Sequence, residues 1–176
     1  EIVAEAPDIG LTLWATGVAG LEALNAGHPR LVGAGIKGQA ALLRLDRGGA
    51  AQLFADGVHV IPHLDGTIAV GGTTEREYDS PDNTDAQLDA VIAKARAAVP
   101  ALQDAPVVER WAGLRPRSRS RAPMLGPWPG KPGHYIANGG FKIGFGMAPK
   151  VAEVMADLLL EGRDAIPKGF RVEDNL

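Results

Sequence analysis

Apolar residues recur along this chain with two different periods, and each change of period marks a new element. Residues 9–16 are largely apolar and end in Ala15-Thr16-Gly17, which predicts a buried strand running into a tight turn at Gly17. A second apolar stretch over 39–45 predicts another strand, and Arg47-Gly48-Gly49 the turn that follows it. Residues 58–62 and 67–70 are rich in β-branched side chains and flank Leu64-Asp65-Gly66. Asp-Gly between two such runs predicts a hairpin, here the centre of an antiparallel sheet.

The period then lengthens. Leu88, Val91, Ile92, Ala95 and Val99 recur at helical spacing, so a helix is predicted over 84–99, capped by Asn83 or Thr84 and stopped by Pro100. Strands follow over 107–114 and 135–137. The last helix is predicted from Ala148-Pro149 to about Glu161, because proline suits a first turn that needs no amide donor and Gly162 suits the end. Val151, Val154, Met155, Leu158 and Leu159 form its apolar stripe. Strands with two well-marked helices and no regular strand-helix alternation make an α+β fold, with a mixed, mainly antiparallel sheet and helices on one face.

Composition narrows the function classes. The 176 residues are 45% apolar and 22% charged, as in soluble globular proteins, with a net charge of -3 and a pI near 5.8. That balance gives no general attraction to nucleic acid or acidic membranes. The chain has no cysteine, which removes disulfides, thiol catalysis and thiolate metal sites. No apolar run reaches the ~18 residues of a membrane span, and the acidic opening residues do not resemble a signal peptide. A cytoplasmic location is expected. The chain opens without methionine in what reads as mid-fold, so a fragment of a longer protein is expected.

Three segments could carry chemistry. Gly33-Ala34-Gly35-Ile36-Lys37-Gly38 spells G-x-G-x-x-G, which cradles a pyrophosphate only between a strand and a helix. Here only residues 30–32 precede it behind Pro29, so a glycine-rich approach to a strand is the favoured reading. A nicotinamide-dependent enzyme using this motif would need 39–45 to be helical. In Trp111-Ala112-Gly113-Leu114-Arg115-Pro116, Arg115 ends an apolar strand and is fixed by the following proline. A guanidinium there suits a planar carboxylate, either of a ligand or of the chain's own acids. The loop Asn138-Gly139-Gly140-Phe141-Lys142-Ile143-Gly144-Phe145-Gly146 leads into the last helix, where glycines permit close backbone approach and the helix start offers positive charge to an electron-rich group.

The histidines give no metal site. His59 and His63 share a strand face but stand roughly 13 Å apart, and His59 either lines a pocket or is a partly exposed strand residue. Residues 117–121, with Arg117, Arg119 and Arg121, read as a solvated loop. No catalytic side-chain arrangement stands out.

In order, Ala15-Thr16-Gly17, Lys37-Gly38-Gln39, Val60-Ile61-Pro62, Asp65-Gly66-Thr67, Gly71-Gly72-Thr73, residues 111–116, Pro123-Met124-Leu125-Gly126 and residues 139–149 resemble the glycine oxidase and D-amino-acid oxidase family of flavoproteins. The resemblance implies FAD as cofactor and an amino acid or related amine as substrate. It implies that Arg115 holds the substrate carboxylate and that Gly140, Phe141, Lys142, Ile143, Gly144, Phe145 and Gly146 pack against the flavin. The helix after them would stabilise negative charge on the reduced ring. Oxidation would pass a hydride from the carbon bearing the amine to flavin N5, with no side-chain base.

The implied domains are 1–30, a remnant of an FAD-binding domain; 31–120, a substrate-binding domain; and 121–176, a returning FAD-domain segment. Lys142 stands where glycine oxidases resemble one another in carrying an arginine near the substrate, and His59 where an aromatic hydroxyl is usual, so both are substrate-site candidates and the substrate need not be glycine. The family's amino-terminal Rossmann unit has no counterpart here. The missing segment is therefore an implied partner, without which weak or no FAD binding and no activity are expected. The competing expectation is a stand-alone carboxylate-binding or protein-interaction module without redox activity.

Overall fold

The computed structural model describes residues 10–176 and divides them into two compact units. One comprises the residues up to Gly35 together with Arg115–Leu176; the other is Ile36–Leu114. These boundaries lie at 35/36 and 114/115, where the sequence suggested 30/31 and 120/121.

The unit Ile36–Leu114 is built on a five-stranded sheet. Its strands are β2 (Gly33–Arg44), β3 (Leu53–Ala55), β4 (Val58–Pro62), β5 (Thr67–Gly71) and β6 (Val107–Ser118), in the order β3-β4-β5-β2-β6. Strands β4 and β5 pair antiparallel through Val60↔Val70 and Ile61↔Ala69, the hairpin predicted around Asp65-Gly66. Gly66 takes φ +79, a conformation that favours glycine. Asp65 closes the turn by accepting the Thr67 amide at 3.0 Å and the Thr67 hydroxyl at 2.6 Å.

Helix α2 (Ala86–Ala98) covers this sheet with Leu88, Ile92 and Ala95, which join Ala41, Leu43, Val58, Val60, Ile68 and Val70 in one core. Its cap is Asp85, whose carboxylate accepts the Gln87 amide, in place of the expected Asn83 or Thr84. At one end of β2 lies a buried polar network. Lys37, 2% exposed, stands 3.6 Å from Glu75 and 3.4 Å from Asp85, while Gln39 donates to Glu75 at 3.0 Å and to Asp85 at 2.9 Å.

The G-x-G-x-x-G run lies within β2, so 39–44 is strand, not helix, and the nicotinamide reading fails on its own test. Gly33 is there for packing: a Cβ would lie 2.8 Å from the Arg117 carbonyl and 2.9 Å from Leu21.

The other unit holds a three-stranded sheet in the order β1-β8-β7, with β1 (Thr12–Trp14), β7 (Met124–Pro127) and β8 (His134–Asn138). Strand β1 is shorter than the predicted 9–16, and Ile9 lies outside the described residues. It pairs parallel with β8 through Leu13↔Tyr135, and β7 pairs antiparallel with β8. Helix α1 (Gly17–Asn25) buries Leu21 and Leu24 with Val32, Met124, Trp128 and Ile136. Helix α3 (Gly144–Glu161) buries Val154 and Met155 with Leu125 and Ile166. It ends on Gly162 at φ +67, as expected, but starts one turn earlier than predicted, so Pro149 falls inside it and removes a donor that would have reached the Phe145 carbonyl. No helix among the described residues is long and apolar enough to cross a membrane.

Candidate functional site

Asn138 sets the geometry of the glycine-rich loop. At the end of β8 it is buried, donates to the Gly17 carbonyl at 2.7 Å and accepts the Gly139 amide at 2.7 Å. One amide thus ties the start of α1 to the loop that leads into α3. Gly139 follows at φ +74 with Ser118 so close that a Cβ would meet the Ser118 Cβ at 2.8 Å. At Gly140 a Cβ would stand 2.9 Å from the Gly144 Cα. A single 3₁₀ turn, Phe141–Ile143, then joins the loop to α3.

These constraints frame a cavity of about 510 Å³. Its walls are Leu13, Ala15 and Gly17 from β1 and α1, Pro116 and Pro123, Leu125 and Ala137 from the sheet, the loop residues 138–141, and Gly144, Phe145, Met147, Ala148, Val151 and Ala152 from α3. The lining is apolar and contains no acid. Helices α1 and α3 both present their starts to it, and neither has a side-chain cap or an acidic residue in its first turn. Two positive helix ends on one acid-free cavity favour an electron-rich group over a cation.

The expected residues distribute unevenly around this cavity. Gly140, Phe141, Gly144 and Phe145 line it, whereas Lys142, Ile143 and Gly146 do not. Arg115 is half-buried in β6, immediately before the lining residue Pro116. Lys142 is exposed, with its ammonium 5.6 Å from the centre of the Phe141 ring. His59 belongs to the other unit and is exposed on β4; its ring packs 4.5 Å from that of Phe54 and its Nδ1 lies 3.1 Å from Gln52.

Arg117 departs from expectation. It lies in β6, bridges antiparallel to Gly140 and places its guanidinium 5.8 Å from the centre of the Phe141 ring, where a solvated loop was predicted. Its alternation with Pro116 along an apolar strand was the available signal. Among the described residues no group of His, Asp and Glu could hold a metal ion.

A family model described as FAD dependent oxidoreductase matches residues 4–158. The chain belongs to this family. FAD is therefore the family's cofactor, as the resemblance implied. Glycine oxidase from Pseudomonas putida is 39% identical over 110 residues, which cover 62% of this chain and 30% of that protein. Glycine oxidase from Bacillus cereus has a solved structure that superposes with a TM-score of 0.76 at 24% identity, covering 88% of this chain and 43% of that one. Iminodiacetate oxidase from Chelativorans sp. superposes with a TM-score of 0.77 at 23% identity, covering 94% and 46%. At these identities the structural matches show a shared fold, and that fold is the α+β arrangement expected from the sequence. The chain spans about a third of the length of the curated FAD-dependent relatives it matches.

Proposed function

We propose that this chain supplies the substrate-carboxylate side and one wall of the flavin site of an FAD-dependent oxidoreductase that oxidises the C–N bond of an amino acid or related amine. The observation that carries this reading is the apolar, acid-free cavity bounded by two uncapped helix starts and the Gly139-Gly140 loop. Those residues fit a flat ring system that gains negative charge on reduction: Gly144 has open space where a Cβ would stand, and Phe141 and Phe145 offer apolar surface. When bound, FAD supplies acceptance of the two electrons released at the carbon that bears the amine.

The chain's own residues bind and orient. Arg115 offers paired N–H donors to a substrate carboxylate, fixing one end of the molecule so that the amine-bearing carbon is held in one place. The uncapped starts of α1 and α3 favour negative charge at the cavity, whose walls are apolar. Lys142 is the further substrate-site candidate, with no side chain cast as a base. The pyrophosphate site is assigned to a segment preceding this chain in the whole protein.

The test is anaerobic titration of the full-length, flavin-loaded protein with glycine, N-methylglycine and a panel of D-amino acids, followed by visible absorbance. One of these should bleach the flavin, and Arg115→Ala should weaken that substrate by about 2–5 kcal/mol, the range for removing one partner of a buried charge pair. Unaltered kinetics in the variant would remove Arg115 from the site, and a full-length protein that takes up no flavin would overturn the reading as a whole.

A further inference from the structure

Phe141 is an unusual residue in an unusual place. Its φ of +47 lies in the left-handed region, which a bulky side chain enters at a cost, and such outliers gather where a ligand is held. Its ring forms part of the cavity wall and carries two cations, the Arg117 guanidinium at 5.8 Å and the Lys142 ammonium at 5.6 Å. The electron density of one ring attracts each cation but neutralises neither.

A carboxylate would normally complete such a pair. Neither Arg117 nor Lys142 has one within ion-pair distance among the described residues. Several acids of the same unit are paired with other cations: Asp157 and Glu161 with Arg163, Asp164 with Arg171, and Glu153 with Lys150. Two like charges on one ring, half-buried at Arg117 and with no carboxylate at ion-pair distance among the described residues, suit an added anion. Residues 115 and 117 also lie on the same face of β6, since side chains along a strand alternate. An anion on Arg117 and a carboxylate on Arg115 therefore fall on one side of the strand.

We infer that Arg117 and Lys142, mounted on Phe141, form a second anion subsite beside the Arg115 carboxylate clamp, and that it selects amine substrates bearing a second carboxylate. This rests on the reading of Arg115 given above. Arg117 is the specificity-determining member, because it is held in the strand and bridged to Gly140, whereas Lys142 is exposed.

The measurement compares ligands that differ by one carboxylate, using the full-length, flavin-loaded protein. Iminodiacetate and N-methylglycine are compared by kcat/KM, and succinate and propionate, which carry no amine to oxidise, by calorimetric binding. A charge-assisted contact predicts a preference of about tenfold or more for the diacid in both pairs. Arg117→Gln should bring that ratio to within about twofold, and Arg117→Lys should restore part of it.

Equal binding of diacid and monoacid by the unsubstituted protein, or a ratio unmoved by Arg117→Gln, overturns the subsite and leaves the Arg115 clamp standing. Conversely, a diacid preference that depends on Arg117 while Arg115→Ala changes nothing supports the subsite and overturns the clamp. Addition of free acetate to N-methylglycine separates a substrate's own carboxylate from an independent anion. If acetate reproduces the gain seen with iminodiacetate, the selection of diacid substrates is wrong.

Discussion

Helix α2 begins on Asp85, whose carboxylate accepts the Gln87 amide, and carries Asp89 in its first turn. Helices α1 and α3 begin with no side-chain acceptor and no acid. The same contrast runs through the two units. In Ile36–Leu114 the buried Lys37 and Gln39 are answered by Glu75 and Asp85, and the apolar core is covered by its own helix. In the other unit an apolar cavity of about 510 Å³ stands against uncapped helix starts, and two cations share one ring with no carboxylate at ion-pair distance among the described residues. The first unit answers its buried lysine from within; the second is shaped for something that is not part of the chain.

Breaking the internal balance of the first unit should have the largest effect. Lys37→Met leaves Glu75, whose side chain is 5% exposed, buried without its cation, and should lower stability by about 3–5 kcal/mol in urea unfolding. Pairing it with Glu75→Leu should recover much of the loss, since a buried ion pair replaced by apolar groups is often neutral. A Lys37→Met protein that unfolds at the original urea concentration would show that the network does not hold this unit together.

In the second unit, neighbouring glycines should separate folding from binding. Gly139→Ala forces a Cβ to within 2.8 Å of Ser118 at φ +74 and should cost roughly 1–3 kcal/mol of stability. At Gly144 a Cβ meets nothing within 4 Å, yet the residue lines the cavity. Gly144→Ala should leave the melting temperature unchanged or raised while weakening flavin binding by about 1–3 kcal/mol, the usual range for overpacking. Flavin fluorescence during titration of the full-length protein checks this. Equal loss of stability in both variants would collapse the distinction between a folding glycine and a binding one.

Local chemistry accounts for what the sequence made legible. The Asp65-Gly66 hairpin, the apolar stripe of α2 and the stop at Gly162 each depend on residues within a few positions of one another. A second hairpin carried the same signal and was overlooked: Asp56 at φ 47 and Gly57 at φ 77 join β3 to β4. The start of α3 differs from the expectation because Pro149 sits inside the helix, not in its first turn, and Gly140-Phe141-Lys142-Ile143 winds into a 3₁₀ turn that starts the helix earlier.

One wall of the cavity was illegible in the sequence for a different reason. Leu13, Ala15 and Gly17 reach it only because β1 pairs parallel with β8, more than a hundred residues away, and no local pattern announces that pairing. Arg117 was misread because three arginines at alternate positions look like a solvated run unless the strand is known to continue through Pro116.

Acid should produce the smallest effect, and it reaches both units. In the cavity-bearing unit, hydrogen bonds from Arg171, reinforced by the Ile166 amide, hold the Asp164 carboxyl below its ordinary value of 3.8. In the other, the Gln39 side chain, followed by the Gln87 amide, does the same for Asp85. A lowered folded value means that each carboxylate contributes stability that is complete above the ordinary value and is lost as pH falls through the lower one. Thermal melting across the acid range should therefore steepen below pH ~4, and Asp164→Asn or Asp85→Asn should each flatten part of that limb. Both carboxylates are partly exposed, at 44% for Asp85 and 43% for Asp164, so solvent screening keeps each contribution small. If Asp85→Asn flattens the limb much more than Asp164→Asn, the buried Lys37 network transmits the titration and the first unit is the acid-sensitive one. Equal flattening would mean that Asp85 acts as a surface cap, leaving Glu75 as the acid that balances Lys37.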